Sequence, residues 1–203
     1  MNGEITEQEK EALKFLDRDF NQCFQQMRAY DAQIFDILKF IFTAYSALLG
    51  IAIGLYQFGL KEGHDLSQPA LAALSVGLIV GLFLFALAIR NRVYFVQVTR
   101  YINEHRGFFF KYKPLGFDNK SKMYTNYQQP PYFDWRSSHL WLCYIIAFLN
   151  SILLGVTFYI MYPCHWKTVI ITGSILFSLQ LIIAVAYLKT RENKSASEAV
   201  FGK

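Results

Sequence analysis

The sequence predicts an all-α integral membrane protein: four transmembrane helices, a cytoplasmic amino-terminal amphipathic helix and a cytoplasmic central loop. Three observations predict it. Of 203 residues, 54% are hydrophobic and only 17% charged, where ordinary globular domains carry about 25% charge. The apolar residues gather in four blocks, Ile37–Leu60, Ala70–Ile89, Leu140–Tyr162 and Thr168–Leu188, each near the ~20 residues that cross a ~30 Å hydrocarbon layer. Lysine and arginine are distributed unevenly around those blocks. All but Lys61 and Lys167 of the 20 lie before the first block or at its edge, between Arg90 and Arg136, or from Lys189 onward. The positive-inside rule then puts both termini and the central loop in the cytoplasm.

Residues 1–36 are rich in Glu, Lys, Asp and Gln and lack the short apolar core of a cleavable signal peptide, so none is expected. Leu13, Leu16, Phe20, Cys23, Met27, Tyr30 and Ile34 recur by threes and fours. That 3.5-residue period is the seam of a coiled coil. Leu13, Leu16, Phe20, Met27 and Ile34 form a self-association surface on one reading and dock on the chain's own cytoplasmic loop on the other. Neither Gly nor Pro separates this helix from the first block, so the two are expected to be continuous.

Residues 37–89 hold the first two spans and residues 139–188 the last two. Lys39 stands at the edge of the first, where a lysine can extend to the headgroups. Small residues recur at four-residue spacing: Ser46, Gly50 and Gly54, then Ala73, Gly77 and Gly81, then Ala147, Ser151 and Gly155, with Ser174 and Ser178 in the fourth block. Such stripes let helix backbones approach closely in lipid, within one bundle or between subunits. Ser46, Asn150, Ser151 and Gln180 form an expected polar layer at one depth, either an interhelical clasp or the lining of a hydrated path. Asp, Glu, Arg and His are confined to span edges, which argues against an ion-coupled pump.

Between residues 90 and 138 the second span is expected to continue as a helix to a stop at Gly107. Ser137 or Ser138 is placed to cap the third span. A loop rich in rings and interrupted by Pro114, Pro130 and Pro131 lies between. The stretch RYINEHRGFFFKYKPLGF at 100–117 mixes cations with aromatics. Arg92, Arg100, Arg106, Lys111 and Lys113, with Phe108, Phe109 and Phe110, are candidates for contact with anionic lipid, with a partner protein, or with an anionic ligand. Nucleic acid is disfavoured, because no binding module is legible. Residues 189–203 form a basic tail.

No phosphate loop, zinc-protease helix or nucleophile elbow is present, so neither enzymatic activity nor a cofactor is expected. Cys23, Cys143 and Cys164 have no metal-ligand spacing. His64, His165 and Cys164 on the outer connections read as scattered surface residues rather than a metal site.

The segments MRAYDAQIFDILKF and RNRVYFVQVTRYINEHRGFF, in this four-span layout, resemble corresponding places in small four-pass membrane proteins of bacterial anti-phage defence. Those include membrane effectors of nucleotide-signalling and CRISPR-associated systems and the membrane subunit of the Kiwa system. The resemblance implies an oligomeric component of the bacterial inner membrane that acts as a regulated pore or as a scaffold or sensor for a cytoplasmic effector. A small-solute channel or transporter of ordinary physiology is the alternative.

Overall fold

The computed structural model describes residues 6–111, 116, 118–122, 124–162 and 165–192. Among them are four helices and no strand: α1 (Glu7–Glu62), α2 (Ser67–Phe110), α3 (Ser138–Met161) and α4 (Trp166–Glu192). All four are long and apolar enough to cross a membrane.

α1 is a single helix of 56 residues, about 84 Å at 1.5 Å per residue. It is therefore much longer than any span requires. Thr6 and Glu9 open it with a capping box: Glu9 N–H donates to Thr6 Oγ1 at 3.3 Å, and Thr6 N–H donates to Glu9 Oε2 at 2.8 Å. Gly63 closes it in the left-handed region at φ 74, where a side chain would be strained. The continuity expected between the amino-terminal segment and the first apolar block is what the structure contains.

α2 runs past the stop expected at Gly107 and ends at Phe110. A Cβ on Gly107 would lie 3.1 Å from the Thr125 carbonyl. The glycine there makes room for the loop and does not terminate the helix. Ser137 does occupy the N-cap position of α3, but its side chain makes no capping bond.

α3 is the central helix, with 56% of its most apolar window buried, against 11% for α4. α1 packs along α2, α2 along α3, and α3 along α4, with α1 also touching α3. α1 and α4 do not close on each other. A groove of about 1060 Å³ separates them, with Ile53, Tyr56, Tyr159 and Trp166 among its walls.

Candidate functional site: an amide clasp and an arginine-clamped loop

Asn150 lies at the centre of the bundle, fully buried. Its Oδ1 accepts from the Tyr45 hydroxyl at 2.6 Å, and its Nδ2 donates to Gln180 Oε1 at 2.8 Å and to the Gly81 carbonyl at 3.2 Å. Gln180 Nε2 reaches the carbonyls of Ala147 and Leu176, each at 3.3 Å. All four helices meet in this clasp. Gly81 is required by it, since a Cβ would overlap both the Tyr45 hydroxyl and Asn150 Oδ1.

Two of the four expected layer residues, Asn150 and Gln180, thus join directly. Ser151 sits beside them but turns its hydroxyl back to the Ala147 carbonyl at 2.8 Å, within its own helix. Ser46 is not in the layer: it is exposed on the outer side of α1. Its neighbour Tyr45, about 100° around the helix, supplies the hydroxyl from that depth.

The small-residue stripes divide in the same way. Gly77 abuts Leu48 and Leu153, Gly155 abuts Val169, and Gly173 lies 3.2 Å, Cβ position to carbonyl, from Ser151. These are contacts within the chain. A Cβ on Gly50 or Gly54 would meet nothing within 4 Å. The stripe on α1 faces outward.

The other cluster lies where α2 continues beyond its apolar half. Arg92 donates from Nε to the Tyr132 carbonyl at 3.2 Å and from Nη2 to the Pro131 carbonyl at 2.7 Å. Arg100 donates from Nε to the Pro130 carbonyl at 3.0 Å and from Nη2 to Glu192 Oε1 at 2.5 Å, with its guanidinium 4.5 Å from the centre of the Tyr132 ring. Asn103 adds bonds to the carbonyls of Gln129 and Asn126 at 2.8 and 3.3 Å. The second Glu192 oxygen accepts the Tyr132 N–H at 2.6 Å. Two arginines thus hold three consecutive carbonyls, and the end of α4 is tied to the same knot.

Arg92 and Arg100 are 2% and 4% exposed. The expectation of a lipid, partner or ligand contact at these two residues gives way to a role inside the chain. Pro130 and Pro131 have no N–H with which to build a local ladder. Their carbonyls, once buried, need outside donors, and the guanidinium forks provide them. Burial pushes the Arg92 guanidinium down to about 10, which leaves it charged at neutral pH.

The amino-terminal seam lies against this same extension of α2. Tyr101 donates to Asp19 Oδ2 at 2.6 Å, Phe20 stacks on His105 and Tyr30 on Tyr94, and Asn91 donates to Gln33 at 2.8 Å. Burial, with the bond to Asp19, pushes the Tyr101 phenol well above its ordinary range, so it remains a donor. His139 at the start of α3 meets Asp31 at 2.9 Å. Ile34 is fully buried, Leu16, Phe20 and Met27 are half-buried, and Leu13 is 40% exposed at the open end. Of the two readings of the seam, the intrachain one describes this structure. Within the chain Leu16, Phe20, Met27 and Ile34 are covered and Leu13 stays open.

Arg106 is half-buried, with its guanidinium 5.8, 5.9 and 5.5 Å from the rings of Phe20, Phe24 and Tyr124. Phe109 and Phe110 line a small groove with Leu13 and Asp17. Phe108 and Lys111 are exposed. Lys113 lies outside the described residues, as does Cys164, and among the described residues no cluster of metal-ligating side chains occurs. Sequence reasoning placed Gly81 in a stripe of close approach and missed Tyr45, Glu192 and the carbonyls of Pro130 and Pro131. The proline pair was the one available signal.

No protein-family model matches the chain, and neither a curated protein nor a solved structure matches it.

Proposed function

We propose that the chain is a multi-pass protein of the bacterial inner membrane that acts, without catalysis, as an oligomeric scaffold or sensor for a cytoplasmic partner in anti-phage defence. The supporting observation is the continuity of α1 and α2. Each is far longer than a span, and together with the clamped loop they form a head rigidly joined to the apolar bundle.

Membrane insertion is supported by the outer face of α4, where Ile170, Ile171, Ile175, Leu179, Ile182 and Ile183 are all exposed. In water that patch would be a liability; against lipid it is the required surface. With both termini cytoplasmic, the clasp lies near mid-bilayer. Phe108 is 27 residues beyond Gly81, about 40 Å along the helix, whereas the headgroup layer ends about 20–22 Å from the midplane. Phe108, Phe109, Phe110 and Lys111 therefore stand clear of the bilayer. This moves the preference for that stretch from lipid to a protein partner.

The exposed rings of Phe108, Tyr124 and Tyr127 form the proposed contact surface at the tip. Within one chain the clasp satisfies its own polar groups. A regulated pore, the second form of the proposal, would be built between subunits from outward faces such as Ser46, Gly50, Gly54, Ser174 and Ser178.

Expression with neighbouring genes in a phage-sensitive bacterium tests the reading. Plaque counts should fall, and Phe108→Ser with Tyr124→Ser should abolish both protection and co-purification of a partner, at unchanged membrane levels. Full protection by that variant, or release of the chain by carbonate washing, would overturn the proposal.

A further inference from the structure

The groove of about 1060 Å³ between α1 and α4 has two unlike ends. At the inner end Phe148 of α3 and Phe177 of α4, both in its wall, meet edge to face with ring centres 6.3 Å apart. Phe148 is two residues from Asn150 and Phe177 three from Gln180, so the groove stops at the depth of the clasp. At the outer end the wall carries Tyr56, Gln57, Tyr159 and Trp166. Among the described residues none of these four side chains makes a hydrogen bond.

Between the ends the floor is small and apolar. A Cβ on Gly155 would lie 3.1 Å from Val169 Cγ1, and one on Gly173 would lie 3.2 Å from the Ser151 carbonyl. The two glycines let α3 and α4 close beneath the groove while α1 stands away from α4. Among the described residues no charged side chain lines it.

Depth and length identify the occupant, and this step rests on the membrane reading above. Tyr159 is nine residues beyond Asn150, Tyr56 eleven beyond Tyr45, and Trp166 fourteen before Gln180. At 1.5 Å per residue these are about 14, 17 and 21 Å from the clasp. The hydrocarbon ends about 15 Å from the midplane and the headgroups about 20–22 Å from it. The groove therefore spans one leaflet, the outer one, apolar where tails lie and rich in donors where ester groups lie. A span from a second copy would need a wall about 30 Å long, twice what Phe148 and Phe177 leave. The carboxylate of a free fatty acid would find no counter-charge. Ester carbonyls need only donors, and two phenols, an amide and an indole N–H supply them.

We infer that the groove binds one phospholipid of the outer leaflet, with an acyl chain between α1 and α4 and its ester oxygens among Tyr56, Gln57, Tyr159 and Trp166. The volume lies at the upper end of the range of small-molecule sites, about 300–1,000 Å³.

The test uses the full-length protein, stripped of lipid in detergent and titrated with phosphatidylcholine that carries a diazirine midway along one acyl chain. Native mass spectrometry counts the lipid, and peptide mapping after illumination locates it. Binding should saturate at one lipid per chain, with adducts on the groove wall around Ile152 and Ser174. Adducts chiefly on Ile171, Ile175 and Ile182, the outer face of α4, would mean unspecific lipid and overturn the site. Ser174 is an exposed wall residue, and Ser174→Trp fills the groove. It should raise the half-saturating concentration about tenfold or more, whereas Ile171→Trp, outside the wall, should change it less than about twofold. Tyr56→Phe with Tyr159→Phe should raise it about threefold or more by removing two donors. Binding by Ser174→Trp equal to the parent would overturn the proposal; if that variant does not fold, Ile152→Trp in the facing wall decides by the same criterion. Palmitate binding as tightly as the phospholipid would overturn the assignment to an ester. Near-complete disulfide crosslinking between Ser174→Cys chains in nanodiscs, absent from the parent, would put a second copy in the groove instead. Failure of the parent to enter phosphatidylcholine nanodiscs would refute the membrane reading itself, whereas entry without lipid binding in detergent would refute the groove alone.

Discussion

Replacing Gly81 by Val tests the clasp more sharply than removing any of its polar groups. Asn150 makes three hydrogen bonds across the bundle, to Tyr45, Gly81 and Gln180. Such bonds between spans contribute about 0.6 kcal/mol each on average, so Asn150→Leu should cost about 2 kcal/mol. The Tyr45 hydroxyl can turn to the Gly77 carbonyl at 3.2 Å and Gln180 Nε2 keeps the carbonyls of Ala147 and Leu176, but Gln180 Oε1 loses its donor, and that unpaired acceptor adds a further cost to Asn150→Leu and Gly81→Val alike. Tyr45→Phe removes one bond and should cost about 0.6 kcal/mol. Gly81→Val both breaks the clasp and forces a side chain into space held by Tyr45 and Asn150. Overpacking of a tight core adds about 1–3 kcal/mol, giving about 3–5 before the shared cost of that acceptor. Reversible unfolding in mixed micelles, or steric trapping in bicelles, reads these differences directly. The expected order of loss is Gly81→Val, then Asn150→Leu, then Tyr45→Phe. Gly81→Val tolerated as well as Tyr45→Phe would show that the helices do not approach there as described.

Orientation follows from charge: a reporter active only in the cytoplasm should work after Lys203 and between residues 115 and 125 and fail at Gly63, and the reverse pattern would invert the topology. Leu16→Glu with Phe20→Glu places carboxylates into the α1–α2 seam, where burial without partners is unfavourable. Limited proteolysis should then cut the arm while the apolar bundle stays inserted, and an uncut arm with a smaller particle would restore the self-association reading. Arg100→Gln removes the bonds to Glu192 Oε1 and to the Pro130 carbonyl, a loss of about 1.5–3 kcal/mol for each bond to a charged group. Trypsin should cleave faster at Lys120 and Lys122, and protection equal to the parent would mean that Arg92 and Asn103 hold the loop alone.

The parts of this fold that were legible are those written along one dimension. A span announces itself because about 20 residues in a row must be apolar, and the continuity of α1 could be read from the absence of Gly and Pro between residue 7 and the first block. Depth was also legible: Asn150 and Gln180 were placed at one level and they do bond. What could not be read was the direction in which a residue faces. Ser46 and Tyr45 share a depth but differ by about 100° around the helix, and only the positions of α2 and α3 decide which one meets Asn150. A 3.5-residue seam says that a helix covers it and not whose helix. The arginines show the same limit in another form. A cation in a loop-proximal helix is usually solvated, so Arg92 and Arg100 read as surface, while Arg90, two residues before Arg92, faces out. The distinction came from Pro130 and Pro131, whose carbonyls have no local donors and so draw the one pair of guanidiniums inward.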